Sequence, residues 1–595
     1  MKQKRTSSPP ISERLLGPLI ALAFLLAGVH SLSEYDITVD SPENMLWGTI
    51  YLKYFETGNK AFLKYGPGEN PLIEHPIEPT NLFFQGLAYS PWEYPPVGNI
   101  ISAITHEIFN ERLKLLSNID AHHIALIILS SVAIYVVYLI AYDVYGFGPA
   151  ALSSSSLALY PRFIGDSHNN VKDIPVACFF VFTIYALWMA FKTKKLSWCV
   201  ASGILLGLSL NTKINAYFMF VIFGLWLILT NWGGTTWVKT PYLKLSRRYL
   251  RYGYREISYP FKLNLILMGF LAGATVLATW PFLWEKPIAH LLQYLSFFAS
   301  ASSDVPVLYN GIIYSKATEV PFYYAPHMLL LVSPPLTLAF AFAGLWAFKG
   351  YLTSGESAAG ERKKMSMLVL LWFVVPLLKY MIPGTAVHNG IRHFLEVIPP
   401  LCILAGVGGD FVARKILAWS RKRMPRRKAA VYVTLLLAIL YLPILMEIYY
   451  IHPYETLYFS PIIGGVKGAE GRYEVNYWGY GIRKAANWVI GEQGVDGFVI
   501  DPMWWHLTAY YTNVSVVPQK NNYVIMAVDE SRYNVTWFNP VVRNLMHYVI
   551  TEKKPIFNHS VGGVPLVYVY RLKGDEVLEA YDVEEIKRQY QEQIK

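Results

Sequence analysis

The sequence predicts a polytopic α-helical membrane protein of about eleven spans that ends in a smaller α/β domain. Of the 595 residues, 54% are hydrophobic and only 16% are charged, whereas soluble domains usually carry about 25% charged residues. Long apolar runs recur along the chain, as expected of membrane helices. Lys and Arg gather in alternate short loops between these runs, which is the pattern of the positive-inside rule.

The first apolar run, 15–32, is interpreted as an uncleaved membrane span. It follows a basic stretch that contains Lys2, Lys4, Arg5 and Arg14. A signal peptide begins in the same way, but here no small-x-small cleavage site follows and acidic residues come at once. We therefore expect a cytoplasmic N-terminus and an outer loop at 33–120, in which 96–109 is mixed enough to form an interfacial helix.

About ten further spans are predicted, and the charge of the loops sets their orientation. The spans are expected near 124–142, 149–160, 174–191, 197–210, 214–230, 263–281, 326–348, 366–382, 394–409 and 429–447. The loops rich in Lys and Arg, which should be cytoplasmic, are 192–195, 231–262, 349–365 and 410–428. The opposite segments, expected outside, are 33–120, 161–173, 282–325, 383–393 and everything after about 448.

The chain after the last span is predicted to form an extracytoplasmic α/β domain, 448–595, beside a membrane domain, 1–447. Strand-like runs at 498–500, 523–528 and 566–570 alternate with a helix-like stretch at 480–490, a pattern typical of a small mixed domain. Glycosylation triplets begin at Asn513, Asn534 and Asn558. They are compatible with an outside location, although such triplets are common by chance.

Composition and motifs exclude several function classes. The net charge of +11 does not indicate nucleic-acid binding, because the basic residues lie in the short loops between spans. Cys178, Cys199 and Cys402 all lie in apolar runs, so we expect neither a disulfide framework nor a thiolate metal site. No Walker loop, Gly-x-Gly-x-x-Gly unit or His-Glu-x-x-His motif occurs in a suitable context, and ATP-driven or dinucleotide mechanisms therefore have no support.

The polar bridge 160–175 between two apolar runs is the strongest candidate for chemistry. It carries Arg162, Asp166, His168, Lys172 and Asp173, and ionisable groups near bilayer depth are costly and usually functional. The two acids and the histidine suit acid–base work or metal binding, and the two cations suit an anionic partner such as phosphate. The alternative is a solvated turn, in which Lys172 snorkels and Asp173 caps the next helix.

Two other outer segments carry ionisable side chains. Asp36, Asp40 and Glu43 follow the first span, and a carboxylate fixed at the membrane surface can act as a general base or hold a cation. Arg392 and His393 lie at the outer mouth of a later span, where they could bind phosphate. The alternatives are a solvated acidic turn and an interfacial anchor. Acids and bases on one membrane face suit a lipid-linked phosphate ester as substrate.

In the order and membrane placement of its motifs, the chain resembles the GT-C membrane glycosyltransferases, which use a polyprenyl-phosphate sugar. That group contains protein O-mannosyltransferases and lipid A aminoarabinose transferases. The motifs are the acids Asp36, Asp40 and Glu43, then Arg162 to Pro175, Gly207 to Lys213, Tyr309-Asn-Gly311 with Pro321 to Tyr324, Arg392 to Pro399, and His452 to Tyr458 with Gly464-Gly465. Many relatives have adjacent Asp-Glu in the first loop. Here the acids are spaced, which leaves open which one is the base.

The resemblance implies an inverting transferase that moves a sugar from a polyprenyl or dolichyl phosphate to a protein, lipid or glycan acceptor on the outer face. It makes Asp40 the first candidate for the base, followed by Asp36 and Asp173. The implied substrate-binding residues are Arg162, Asp166, His168, Lys172, Arg392 and His393.

No cofactor is expected to be required, because cationic side chains can stabilise the leaving phosphate. If a divalent cation binds, Mg²⁺ or Mn²⁺ on Asp40, Asp166 and Asp173 is expected rather than zinc, since the ligands are oxygens. The leading alternative function is a polytopic transporter or lipid-linked sugar flippase. Such a protein would show inverted repeats and charges at mid-bilayer, and neither is found in the sequence.

Overall fold

The computed structural model of the protein describes residues 11–63, 72, 94–231, 259–300, 305–353, 360–493, 499–500, 521–528 and 547–573. Within these ranges the chain is mostly helical and has a small sheet near its C-terminal end, which confirms the predicted fold class. Most of the predicted basic loop 231–262 and the triplets at Asn513 and Asn534 lie outside the described residues.

The first half of the described chain forms the helices α1 to α9, and the second half forms α10 to α18. Helices α1 to α9 cover Ile11–Ser31, Ser41–Thr57, Val97–His106, Asn118–Tyr145, Phe147–Ala158, Pro161–Asp166, Asp173–Thr193, Leu196–Leu210 and Phe218–Asn231. Helices α10 to α18 cover Tyr259–Thr279, Pro287–Ser300, Tyr324–Leu331, Pro335–Thr353, Gly360–Tyr380, Ile398–Ser420, Arg426–Ile451, Gly465–Ala469 and Ile482–Gln493.

Strands occur in a hairpin and in a C-terminal sheet. The hairpin pairs β1 (Val307–Tyr309) with β2 (Ile312–Tyr314) around Asn310-Gly311. Both turn residues have left-handed φ angles, 53° and 79°, as a tight type I′ turn requires. The C-terminal sheet has the order β3-β4-β6-β5, with β3 at Val499–Ile500, β4 at Asn521–Ala527, β5 at Phe557–Val561 and β6 at Val564–Lys573. The sequence did not predict β5.

Several helices are long and apolar enough to cross a membrane. In the described part of the chain six satisfy this test: Glu13–Glu34, Asn118–Tyr145, Asp173–Thr193, Pro335–Thr353, Arg392–Ser420 and Arg426–Ile451. Shorter apolar helices cover Leu196–Leu210, Ile214–Thr230 and Leu265–Thr279. A multi-pass membrane protein is thereby confirmed, whereas the number of spans stays a prediction.

The predicted span 326–348 is not one helix. It is divided into α12 and α13 by Val332, Ser333 and Pro334. Proline lacks an N–H group and disfavours helical geometry in the residue before it, so the pair Pro334-Pro335 ends one helix and begins the next. The single-helix prediction was therefore wrong, although the signal for the break was in the sequence.

Helix α15 lies at the centre of the membrane part, where it packs against α5 and α13. Two glycines permit this packing. A Cβ atom on Gly408 would collide with the carbonyl oxygen of Phe340, and one on Gly406 with the hydroxyl of Ser153. Small residues let membrane helices approach closely, and the close fit fixes the start of α15, where the site lies.

The ends of alternate helices meet on one side of the bundle. The Val97 N–H donates to the Asn211 carbonyl oxygen at 2.9 Å, and the Val387 N–H donates to that of Ala317 at 3.2 Å. The Asn211 amide also donates to the Thr279 hydroxyl at 2.7 Å. The contact between Val387 and Ala317 joins two segments, 383–393 and 282–325, that the loop charges predict to lie on the same side of the membrane.

The chain beyond α16 returns to cover these loops. The Val39 N–H donates to the Trp478 carbonyl oxygen at 3.2 Å, and the Asn169 amide donates to the Tyr480 hydroxyl at 2.6 Å. The segment 452–493 therefore lies against both the first outer loop and the polar bridge. The domain boundary at 447/448 stays a prediction.

Candidate active site

The polar bridge is a buried, internally hydrogen-bonded turn. Proline at the first position of α6 suits a helix start, because its missing N–H would have no partner there. After α6, the Asn170 amide donates to Asp166 at 3.0 Å and to Asp173 at 2.9 Å. Arg162, Asp166 and Asp173 have exposed fractions of 0%, 1% and 5%. The alternative of a solvated turn is therefore wrong.

The two acids of the bridge have different surroundings. Burial raises the pKa of Asp166 to about 7, and the neighbouring Asp173 adds to this effect. Asp173 instead forms an ion pair with Lys213, in which the side chains are 6% and 15% exposed. Lys213 follows α8, and the sequence had indicated it only as the last residue of the motif that begins at Gly207. A lysine in a very short link between two apolar runs was the signal that could have identified it.

An ion pair joins the first outer loop to the start of the central helix. Arg392 Nη1 lies 3.1 Å from Asp40 Oδ2, and the guanidinium lies 4.7 Å from the centroid of the Trp478 ring. Arg392 Nε is buried and has no hydrogen-bond partner among the described residues. Buried donors are normally paired, so this nitrogen is available to a ligand acceptor.

Lys172 faces the acids of the first loop across two aromatic rings. Its Nζ lies 4.1 Å from the Tyr94 ring centroid and 5.0 Å from that of Trp47, within cation–π range. Burial lowers the pKa of Lys172, and Glu43 and Asp40 work against that effect. Burial also raises the pKa of Glu43 to about 7. The sequence analysis did not identify either aromatic residue as part of a site.

Replacing Glu43 by glutamine should stabilise the protein more at pH 8 than at pH 5. The pKa of Glu43 rises from 4.5 to about 7 on folding. Between these values the unfolded chain has lost a proton that the folded chain keeps, so the free energy of unfolding falls as pH rises through this window. One pKa unit corresponds to about 1.4 kcal/mol, so the variant should recover up to ~3 kcal/mol above pH 7.

Thermal unfolding of the detergent-purified protein at the two pH values checks this prediction. Glu56→Gln is the matched control, because Glu56 lies on the same helix and is exposed. Its effect on the unfolding midpoint should be small, because Glu56 pairs with Lys53 near the surface and such pairs contribute little. An effect of Glu43→Gln that does not differ between the two pH values would contradict the prediction.

Arg162 mainly anchors the C-terminal segment. Its Nε donates to the Tyr458 carbonyl oxygen and its Nη1 to the Tyr477 hydroxyl, both at 3.1 Å, and the guanidinium lies 5.1 Å from the Phe459 ring centroid. Only Nη2 lacks an acceptor among the described residues. Arg162 can therefore contribute at most one nitrogen to a ligand.

Asp36, predicted as a candidate base, and His168, predicted as a substrate contact, both lie against neighbouring segments of the protein. Asp36 Oδ1 lies 2.8 Å from Arg483 Nε, and Asp36 Oδ2 accepts the Gly481 N–H at 3.0 Å. The His168 ring stacks on Tyr35 with a centroid distance of 3.7 Å. Its nitrogens face backbone carbonyl oxygens at 2.8 and 3.3 Å. Both side chains therefore contact neighbouring segments of the protein, and their roles as a base and a substrate contact stay predictions.

His393 lies beside the ion pair that links Asp40 and Arg392. Its carbonyl oxygen accepts the Tyr380 hydroxyl at 2.9 Å, and its ring lies against His388 with a centroid distance of 4.4 Å. The buried His393 Nε2 has no hydrogen-bond partner among the described residues. It is thus a further nitrogen in this region that a bound group could reach.

The three carboxylates predicted as metal ligands are not gathered into one set. Asp40 faces Arg392, whereas Asp166 and Asp173 share the Asn170 amide. Across the described ranges, no group of three or more His, Cys, Asp or Glu residues could hold a metal ion. The three acids therefore do not form one ligand set, because Asp40 pairs with Arg392 while Asp166 and Asp173 share a different partner. Binding of a divalent cation stays a prediction.

Comparison with known proteins identifies a family model and several solved structures. Residues 93–248 match the model of the dolichyl-phosphate-mannose-protein mannosyltransferase family. This range contains the polar bridge and Lys213. A comparison with curated proteins found no match.

Several solved structures are similar to this chain at low sequence identity. ArnT from Cupriavidus metallidurans, bound to undecaprenyl phosphate, is 14% identical with a TM-score of 0.47, covering 94% of this chain and 98% of that one. AglB from Archaeoglobus fulgidus, in complex with an inhibitory peptide and a dolichol phosphate, is 13% identical with a TM-score of 0.45, covering 87% and 70%. The S. cerevisiae Pmt1–Pmt2 complex, bound to the sugar donor, is 13% identical with a TM-score of 0.30, covering 45% and 35%.

The class that the fold defines is that of multi-pass membrane proteins. The family-model match over 93–248 confirms the resemblance to the GT-C glycosyltransferases. The chain is accordingly a glycosyltransferase in class, and the transporter alternative is not favoured.

Proposed function

We propose that the protein transfers a sugar, with inversion, from a polyprenyl phosphate to an acceptor hydroxyl on the outer face of the membrane. The observation that carries this proposal is the Asp40–Arg392 pair at 3.1 Å. It sets a candidate base beside a cation whose buried Nε has no acceptor among the described residues. An acid and an anion-binding group in contact are what a displacement at a phosphate-bearing carbon requires.

The reaction is a single displacement. The Asp40 carboxylate takes the proton of the acceptor hydroxyl while the hydroxyl oxygen forms a bond to the anomeric carbon. The bond between that carbon and the phosphate oxygen breaks, and the phosphate leaves with the electron pair. Arg392 and Lys172 are both close enough to Asp40 to interact with it electrostatically, so their charges stabilise the negative charge that develops on the phosphate.

The test is to incubate the purified protein with radiolabelled polyprenyl-phosphate sugars and a pool of membrane lipids, glycans and peptides. We expect label in one acceptor class, release of polyprenyl phosphate and an inverted anomeric configuration. Because the cations are side chains, transfer should persist in EDTA. Label that crosses a liposome bilayer without being transferred would instead support a flippase and contradict the proposal.

We also propose that the N-terminus is cytoplasmic and that the chain after α16 is extracytoplasmic. The support is the alternation of basic loops along the sequence. Cysteines introduced near 250 and near 520 should therefore react with a membrane-impermeant reagent from opposite sides of sealed vesicles. Labelling of both from the same side would contradict the topology and, with it, the outward-facing site.

A further inference from the structure

A cavity of about 270 Å³ lies outside the acid–base site, between the segment 470–476 and one face of the C-terminal sheet. Its walls combine tyrosine rings, carboxylates and apolar side chains. The described lining includes Glu470, Tyr473, Glu474, Met526, Tyr568 and Tyr570. None of these residues takes part in the proposed displacement, so the cavity needs a separate explanation.

The chemistry of the walls selects a hydroxyl-rich, uncharged ring. Tyr568 and Tyr570 are two residues apart on β6 and therefore project from the same face of the sheet. Each offers a flat apolar surface with a polar tip, which suits a sugar ring that has an apolar C–H face and a rim of hydroxyls. Glu470 pairs with Lys467, and Glu474 accepts the Asn389 N–H. Because each carboxylate has about four acceptor positions, both can also accept from those hydroxyls. The described lining contains no Lys, Arg or His, which disfavours a phosphate-bearing ligand.

The size of the cavity limits what it holds. Pockets for whole small molecules usually measure about 300–1,000 Å³, and this one lies just below that range. It is therefore suited to one ring of a longer molecule whose remaining units extend beyond the cavity.

A loop connects the cavity to the proposed base. Glu474 Oε2 accepts the Asn389 N–H at 2.8 Å, and the next N–H, of Gly390, donates to the Tyr324 hydroxyl at 3.1 Å. Arg392 follows in the same loop and contacts Asp40. A glycan seated against Glu474 would thus lie along the loop that carries the anion-binding arginine.

We infer that this cavity binds a sugar unit of a glycan acceptor, remote from the hydroxyl that receives the new sugar. The inference rests on the proposed function and narrows its acceptor class to a glycan. A peptide acceptor is the competing outcome, which the experiment below separates.

Saturation-transfer NMR on the full-length protein in detergent tests the inference. The probes are the methyl glycosides of glucose, galactose, mannose and N-acetylglucosamine. At least one should receive saturation on its ring protons, and Tyr568→Ala should weaken its affinity at least ten-fold. Tyr568→Phe, which keeps the ring, should retain most of the binding. Arg571→Ala should leave binding unchanged, because Arg571 is exposed and projects from the other face of β6.

The outcomes separate this inference from the proposed function. Glycoside binding needs neither donor nor base, so Asp40→Asn should bind as the wild type does. Binding without sugar transfer would contradict the proposed function alone. No signal from any glycoside, an equal signal in folded Tyr568→Ala, or a short peptide whose binding depends on Tyr568 would overturn the inference.

Discussion

Replacing Asp40 by asparagine is expected to slow sugar transfer by about 10²–10⁴-fold while leaving the affinity for the donor largely intact. The amide is nearly isosteric with the carboxylate but cannot take a proton, so the loss falls on the transition state. Asp40 lies directly before α2 and contacts Arg392 at 3.1 Å, which holds its carboxylate near the start of α15. Single-turnover rates with a radiolabelled donor, together with a donor-binding measurement, check the prediction.

The contact with Arg392 requires a control, since losing the charge of Asp40 also alters its partner. If Asp40 only positioned Arg392, then Asp40→Asn and Arg392→Gln would both raise the KM for the donor. A base role instead predicts a lower kcat at unchanged KM and the loss of the acidic limb of the pH–rate profile. If Asp40→Asn turned over at a near wild-type rate, Asp40 would not be the base. Asp173 would then be the next candidate, because both oxygens of Asp36 face the C-terminal segment.

Lys213→Met is expected to lower the free energy of unfolding by about 3–5 kcal/mol, the usual cost of removing one partner of a buried ion pair. The Asp173 side chain is only 6% exposed and would lose the cation that compensates its charge. The Asn170 amide at 2.9 Å would still donate to it, and its position at the start of α7 favours a negative charge. These remaining contacts place the expected loss at the lower end of the range.

The double variant Lys213→Met/Asp173→Asn is the control for this prediction. It removes both charges, so no uncompensated carboxylate remains, and it should unfold at a higher temperature than Lys213→Met alone. A double variant as unstable as the sum of the two single variants would show that the two residues stabilise the protein independently. Thermal unfolding of the three variants in one detergent provides the comparison.

Hydropathy and loop charge predicted the helices well, since these patterns are local. A helix occurs at every predicted span, and the C-terminal sheet contains each predicted strand-like run. Failures occurred where local signals compete or are weak. The run 326–348 is largely apolar, so its hydropathy did not indicate the break at Ser333. The polar residues of β5, such as Asn558 and His559, do not resemble those of a buried strand.

The candidate site was only partly predictable, because its contacts join residues that are far apart in the chain. The acids and cations were identifiable one by one from charge near the membrane surface. Their pairing was not, since Asp40 and Arg392 are separated by 352 residues. The aromatic rings against the cations, such as Trp47 and Trp478, could not be distinguished from the many other aromatic residues of the chain by sequence alone. The sequence likewise did not show that Asp36 pairs with Arg483, because these two residues are also far apart in the chain.

The contact between Asp36 and Gly481 has a consequence for the order in which this region is assembled during biosynthesis. The two residues are 445 positions apart, so at a synthesis rate of about 5–20 residues per second roughly 20–90 s separate their translation. Throughout that interval the first acidic loop is already present, while Trp478, which packs on Arg392, has not yet been made. The contacts that Trp478 makes with Arg392 and Gly481 makes with Asp36 can therefore form only after the membrane helices that precede them in the chain have been made.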